Sequence, residues 1–332
     1  MSNTPPPPQK NTPTPLTPTR TPTPPTPTQA FTTHRELLFS LVYNMLGSVA
    51  DTEDVLQETW LAWAARSAAP DAAPVEHPRA YLVRIAVNGA VARRAAITRR
   101  RETYVGSWLP EPLVTASTGT LGTAADSGSA ADAAERAESV SLAMMVVLET
   151  LTPLERAVFV LHEVFGYAHT ETADILGRTP AAVRQLAHRA REHVHARRPR
   201  YRADPKLRQQ ATERFVAAAF GGDLEALLRL LAPDVTLWSD GGGKSRAAGP
   251  RPIHGSDNVA RLLVARATHA PADLDIHYRQ VNGDPSAVLF SGESAFAVLV
   301  VDLTPEGDRV SDIYNITNPD KLTTLHARPR TE

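Results

Sequence analysis

The chain has no cysteine among its 332 residues. That excludes disulfides, thiolate zinc sites and cysteine nucleophiles, and it suits a reducing cytosol. It also has almost no net charge, -1 at pH 7 with histidine neutral, so nucleic-acid binding would have to come from local basic patches. Long apolar runs are missing: the best candidates, Val140 to Leu148 and Ala295 to Val301, fall far short of the roughly 20 residues that span a bilayer. No charged stretch followed by an apolar one opens the sequence, so no secretory signal is expected. The expectation is a cytoplasmic protein with no membrane association.

What is present is segmented. Residues 1 to 28 hold eleven of the 28 prolines and nine threonines, too little apolar surface to offset the entropy of ordering, so 1–30 reads as a disordered tail. Phe31 to Arg101 has helical spacing, with Leu37, Leu38, Leu41 and Val42, then Val55, Leu56 and Leu61, then Tyr81, Leu82, Ile85 and Ala86. Between Glu102 and Glu135 there is no lysine or arginine, and 104–135 reads as a mildly acidic linker.

A second helical block follows, over 136–199. Thr152-Pro153-Leu154-Glu155 is a helix start with the makings of a capping box. Gly177-Arg178-Thr179 joins two helices as a helix-turn-helix. Over 204–328 two amphipathic helices precede strand-like runs at Val235 to Trp238, Ile276 to Val281, Ala287 to Phe290, Ala295 to Val301 and Val310 to Ile316. One helix near Asn258 to Arg266 interrupts them, which predicts an α+β domain with a mostly antiparallel sheet.

Charge is concentrated on particular helices. Val183, Leu186, Ala187, Ala190 and Val194 form an apolar back to Arg184, Gln185, His188, Arg189 and Arg191. Arginine for guanine edges and phosphates and glutamine for adenine are what a major-groove helix needs. Arg84, Arg93, Arg94, Arg99, Arg100 and Arg101 form another cationic run, with Tyr81, Tyr104 and Trp108 nearby as candidate stacking surfaces for unpaired bases. Asp51-Thr52-Glu53-Asp54-Val55-Leu56-Gln57-Glu58 packs four acids into eight residues. They face either a protein partner or solvent at a helix N-terminus, and the residues alone leave both open.

DTEDVLQETWLAWAAR, HPRAYLVRIAVNGAVARR and LTPLERAVFVLHEVFGYAHTETADILGRTPAAVRQLAHRAR resemble regions 2 and 4 of extracytoplasmic-function RNA polymerase sigma factors, in the right order. The resemblance implies two all-α sigma domains, a region 2 bundle (31–103) and a region 4 helix-turn-helix. It implies core RNA polymerase and promoter DNA as partners and transcription initiation as the function. By position, Asp51, Glu53, Asp54, Gln57 and Glu58 would dock on the polymerase. Arg79, Arg84, Asn88, Arg93 and Arg94 would contact the minus-10 element, and Arg184, Gln185, His188 and Arg189 the minus-35 element. The sequence departs from the family where Gly89 follows Asn88 and where Ala168 replaces a capping serine.

GGDLEALLRLLAPDVTLWSDGGG resembles the opening of a SnoaL-like cone-shaped α+β domain. With YVGSWLPEPL and NPDKL, it places the chain in a SigJ-type subgroup whose C-terminal extension is thought to regulate the sigma core in cis. The implied regulatory contacts are Trp108, Leu109, Pro110, Glu111 and Pro112 with Asp240, Gly241, Gly242, Gly243, Lys244, Asn318, Pro319, Asp320 and Lys321. DGGGKS at 240–245 is no phosphate loop, because Trp238 stands where the first glycine of such a loop belongs and no helix follows.

SnoaL-like folds also serve enzymes, and Asp240, His254, Asp275 and His277 are candidates by residue type, but their spacing is not diagnostic and no catalytic residue is assigned. No cofactor and no metal site are expected, and the chain should be a monomer when free. Two alternatives stay open: a stand-alone helix-turn-helix regulator, and a sigma factor whose cone senses a small ligand.

Overall fold

In the computed structural model of the protein the described residues are 26–69, 73, 75–101, 104–115, 140–196, 204–245 and 248–326. Most of the Pro/Thr-rich tail, 116–135 of the acidic linker and the first residues of the second helical block, 136–139, lie outside them.

Three helices come first: α1 (Pro27–Leu46), α2 (Val49–Ala68) and α3 (Pro78–Arg101). Helix α1 starts inside the segment read as tail. The Thr26 hydroxyl accepts from the Gln29 amide and the Gln29 side chain accepts from the Thr26 amide, a capping box that fixes the helix start despite the proline-rich lead-in. Pro27 suits the first helical position, and its carbonyl accepts from Trp63 Nε1 at 2.8 Å. Gly47, at φ 70°, ends α1 in the left-handed region.

Helix α4 (Leu142–Leu148) leads to α5 (Pro153–Phe159), which continues into a π-helical turn over Val160–Val164. Then α6 (His169–Leu176) and α7 (Pro180–His195) form the helix-turn-helix, with Gly177 at φ 62° ending the first and Thr179 capping the second. The two helical blocks are not separate bodies. Leu38, Leu56, Leu82 and Val87 of the first share one continuous buried core with Val158, Ala173, Val183 and Ala190 of the second.

The C-terminal domain comprises α8 (Pro205–Gly221), α9 (Leu224–Leu230), β2 (Leu231–Asp240), β3 (Ile253–His254), α10 (Ser256–Ala267), β4 (Leu274–Val281), β5 (Asp284–Ser291), β6 (Ser294–Leu303) and β7 (Val310–Ile316). A 3-10 turn over Pro319–Lys321 follows. With a further strand, β1 (Val114–Thr115), the sheet order is β1-β4-β5-β6-β7-β2-β3; β2 and β7 pair parallel and every other neighbouring pair is antiparallel.

The outermost strand, β1 (Val114–Thr115), comes from the segment read as linker. It pairs with β4, Val114 opposite Val281. The expectation of one linker over 104–135 is therefore corrected for 104–115, a strap packed on the protein that adds a strand to the sheet. Absence of positive charge is a composition signal, and it does not distinguish a solvated linker from one packed on another domain.

Side chains alternate across the sheet. Ala287, Leu289, Leu299 and Ile313 face inward to Phe215, Leu227 and Val259 of the helices, forming the cone. Val288, Phe290, Val298, Tyr314 and Ile316 face the other way, toward Leu109 of the strap and Leu142 of α4. Among the described residues no helix is long and apolar enough to cross a membrane.

Candidate functional site

Helix α7 buries Val183, Ala187, Ala190 and Val194 and leaves Arg184, Gln185, His188 and Arg189 exposed on one face. Its short lead-in turn, set by Gly177 and Thr179, projects that face outward. On α2, Glu53, Asp54, Gln57 and Glu58 are exposed while Thr52, Val55, Leu56 and Thr59 are buried. The four-residue repeat thus sorts the acidic stretch into a core side and a displayed side. Asp51 is half-buried, 2.8 Å from Arg93 Nε. Arg93 also pairs with Asp54, and Arg35 with Glu53 at 2.7 Å.

Helix α3 divides the residues assigned to the minus-10 element. Arg79 and Arg84 are exposed. Asn88 donates through Nδ2 to the carbonyl of Ile175 at 2.8 Å, at the end of α6. Arg93 is held by the two acids of α2. Arg94 is only 3% exposed and pairs with Glu149 at 2.8 Å, just after α4. Glu149 also binds Arg156 at 2.5 Å, and Arg156 donates to the Asn44 carbonyl at 2.9 Å. Burial lowers the Arg94 pKa to about 10 and, together with Arg94, lowers that of Arg156. In this arrangement Asn88 and Arg94 both bind the second helical block, Arg94 buried there and Asn88 still exposed. A β-carbon on Gly89 would stand 3.3 Å from Val55 Cγ1, so close packing of α2 on α3 accounts for the mid-helix glycine.

The strap joins three parts of the chain. Asp240, fully buried, accepts from Tyr104 Oη at 2.6 Å, from the Leu109 amide at 2.8 Å, from the Gly242 amide at 3.1 Å and from Lys321 Nζ at 2.7 Å. Lys321 also donates to the Leu109 carbonyl and lies over the Trp108 ring, 4.1 Å from its centroid. Burial, then the bond to Asp240, pushes the Tyr104 phenol well up. Asn318 Nδ2 donates to Tyr104 Oη at 2.9 Å, and its Oδ1 accepts from the Asp320 amide across Pro319. Lys244 pairs with Asp320 at 2.6 Å on the surface.

The glycines serve close approach. A β-carbon on Gly242, at φ 59°, would stand 2.4 Å from Asn318 Nδ2; one on Gly243 would press Val105, and one on Gly241 would press Ala248. Tyr104 and Trp108 are thus part of this clamp, which corrects the idea that they offer surfaces to bases. Tyr81 packs on Trp63.

The other side of the strap grips the first helical block. The Glu111 carboxylate accepts from the Val49 amide at 2.8 Å, its amide donates to the Gly47 carbonyl at 2.9 Å, and its carbonyl accepts from Tyr43 Oη. Burial raises the Glu111 pKa. Trp108 and Pro110 cover Gly47, where a β-carbon would meet Trp108 Cη2 at 2.8 Å. Leu109 to Pro112 are buried. Asn282 closes the circuit: its amide donates to the Leu113 carbonyl, its Oδ1 accepts from the Leu113 amide, and its Nδ2 donates to Tyr43 Oη.

Tyr43 and Asn282 were not singled out from sequence. Asn282-Gly283 is a hairpin turn signal, and Asn282 does take a positive φ of 51°, but nothing local says that its side chain points at another domain.

The four residues considered for catalysis do not converge. Asp240 is occupied by the clamp, His254 bonds Thr236 on the β2–β3 edge, and Asp275 and His277 form a 2.6 Å pair on β4. None of them lines the cone's cavity. Among the described residues no group of three or more metal-ligating side chains comes together.

Residues 30–102 match the Sigma-70 region 2 family and 141–194 the Sigma-70 region 4 family. The chain is 37% identical over 301 residues to the ECF RNA polymerase sigma factor SigJ of Mycobacterium tuberculosis, covering 88% of this chain and 92% of that one. It is 28% identical to the probable ECF RNA polymerase sigma factor SigI of the same organism, covering 90% and 95%. The crystal structure of SigJ aligns with a TM-score of 0.65 at 34% identity, over 88% of this chain and 97% of that chain. With regions 2 and 4 in place and the SnoaL-like cone behind them, the chain belongs to the extracytoplasmic-function RNA polymerase sigma factors, proteins that bind core polymerase and promoter DNA to direct transcription.

Proposed function

We propose that the SnoaL-like domain controls the sigma core in cis by holding the 104–115 strap, and that the arrangement described is the closed, low-activity one. The observation that carries this is Asp240: a fully buried carboxylate whose partners include Tyr104 and the Leu109 amide of the strap and Lys321 of its own domain. A buried charge with that many donors organises the segment around it.

Distance supports the same reading. The minus-35 and minus-10 elements lie roughly 25 base pairs apart, about 85 Å at 3.4 Å per step. Two helical blocks sharing one core cannot bridge that span, so region 4 must leave region 2 for both to be read. In the open form Arg79, Arg84, Asn88, Arg93 and Arg94 would meet the minus-10 element and Arg184, Gln185, His188 and Arg189 the minus-35 element. Glu53, Asp54, Gln57 and Glu58, exposed already, would let polymerase engage the closed protein first, as a monomer.

The test uses the full chain with core polymerase on a cognate promoter. Gly242→Ala crowds Asn318 without changing charge and should loosen the clamp, so transcript yield should rise several-fold. If limited proteolysis shows the strap released while the yield stays the same, control through the strap is wrong.

A further inference from the structure

The inner face of the sheet and helices α8 and α10 enclose a cavity of about 480 Å³, within the range that holds a small organic ligand. Its wall is mostly apolar, with Phe220, Leu263, Ala267, Leu289, Phe296 and Leu299. Five polar residues interrupt it: Ser245, Arg266, His269, Asn315 and Thr317. Asn315, 8% exposed, has a side-chain oxygen with no hydrogen-bond partner, and Arg266 has a buried Nη1 with none, among the described residues. Both line this cavity.

Unpartnered polar atoms are rare in folded interiors. Two in one apolar chamber indicate that something else supplies the partners. We propose that the cone binds a small carboxylic acid with an apolar body, its carboxylate on Arg266 and its near edge on the Asn315 amide.

The chemistry follows from what the wall holds. A guanidinium pairs with a planar carboxylate through parallel hydrogen bonds. Among the described lining residues Arg266 is the one permanent cation, His269 is a second basic group and there is no acid, so one negative charge is matched and a cationic ligand is disfavoured. A phosphate dianion would bring more charge and hydration than this wall can replace. Burial lowers the Arg266 pKa, in keeping with a charge that lacks a counterion. The Asn315 amide presents a donor or an acceptor according to which way it is turned, so it fits either a carboxylate oxygen or an adjoining hydroxyl. The apolar lining takes the rest of the ligand.

The site lies on the opposite face of the sheet from the clamp and does not depend on the control reading. Thr317 connects the two regions: it lines the cavity, and its amide donates to the Asp240 carbonyl at 2.7 Å.

The experiment is calorimetric titration of the full-length chain with octanoate and 3-phenylpropanoate, against octanamide, octanol and octylamine. Both acids should bind and raise the melting temperature, the amide and alcohol should bind at least about tenfold more weakly because they lack the charge-assisted pair, and the amine should not bind. Arg266→Gln should erase the preference for acid over amide. The comparison of acid with amide needs only the unaltered chain, so it decides the matter even where the variant fails to fold. Absence of binding by both acids, equal binding of acid and amide, or a folded Arg266→Gln chain that keeps the preference would each overturn the proposal. Any of these leaves the strap reading standing, since that is read from transcription and proteolysis.

Discussion

The carboxylate of Asp240 lies 2.7 Å from the ammonium of Lys321, with the Trp108 ring against that ammonium. Asp240 is wholly buried and the Lys321 side chain is 11% exposed. Removing one partner of such a pair strands the other charge, at a cost of about 3–5 kcal/mol. Asp240→Asn should therefore loosen the strap. Limited proteolysis should cut within 104–115 far faster than in the unaltered chain, and the Asp240→Asn/Lys321→Met double variant should recover part of the lost stability.

Glu149 holds two buried arginines, Arg94 and Arg156. Glu149→Gln leaves both with less compensation, and the contact between regions 2 and 4 should weaken by about 3 kcal/mol or more. Thermal unfolding should show a lower or split transition, and amides of α3 and α5 should exchange faster with solvent.

The start of α6 is half-capped. The Glu171 side chain accepts from the Ala168 amide at 2.8 Å, but alanine offers no oxygen in return. Its backbone already has the extended N-cap conformation, φ -62° and ψ 154°. Ala168→Ser should complete the box and stabilise region 4 by about 1 kcal/mol, measured as a higher denaturation midpoint with unchanged slope.

The His169 ring packs tilted against that of His162, with centroids 3.9 Å apart. Burial first, then His162, Arg191 and Arg184, lower its pKa below 6.5, with Glu163 acting in the opposite sense. Above the unfolded value of 6.5 the ring is neutral in both states. As pH falls below it the unfolded chain takes up the proton first, so region 4 should lose stability on acidification. His169→Gln should flatten that part of the profile, seen as the melting temperature between pH 7 and 5.

Much of this was legible in the sequence because it is local. The Thr152 and Thr179 helix starts, the Gly177 stop and the sorting of α7 into apolar and basic faces follow from spacing alone, and the long motifs around Asp51 and His77 gave the family. What could not be read was mutual placement. Arg94 looks like any arginine on a basic helix; only the packing of α4 beside α3 makes it a buried partner of Glu149. Tyr104 and Trp108 are aromatic and near a basic run, which suggests base stacking, whereas their partners come from Asp240, Asn318 and Lys321. The alternation of strand residues marks two faces of a sheet, but not that one encloses a chamber while the other receives a strap.

The strap's contacts are also extreme in sequence separation: 131 residues from Leu109 to Asp240, 169 from Leu113 to Asn282 and 212 from Leu109 to Lys321. Contacts that close such long loops form late, after local helices and hairpins have paid their own ordering entropy. On the ribosome the strap emerges well before the residues that clamp it, and region 2 with it. A newborn chain therefore passes through an interval in which its sigma core is made and the clamp on its strap is not.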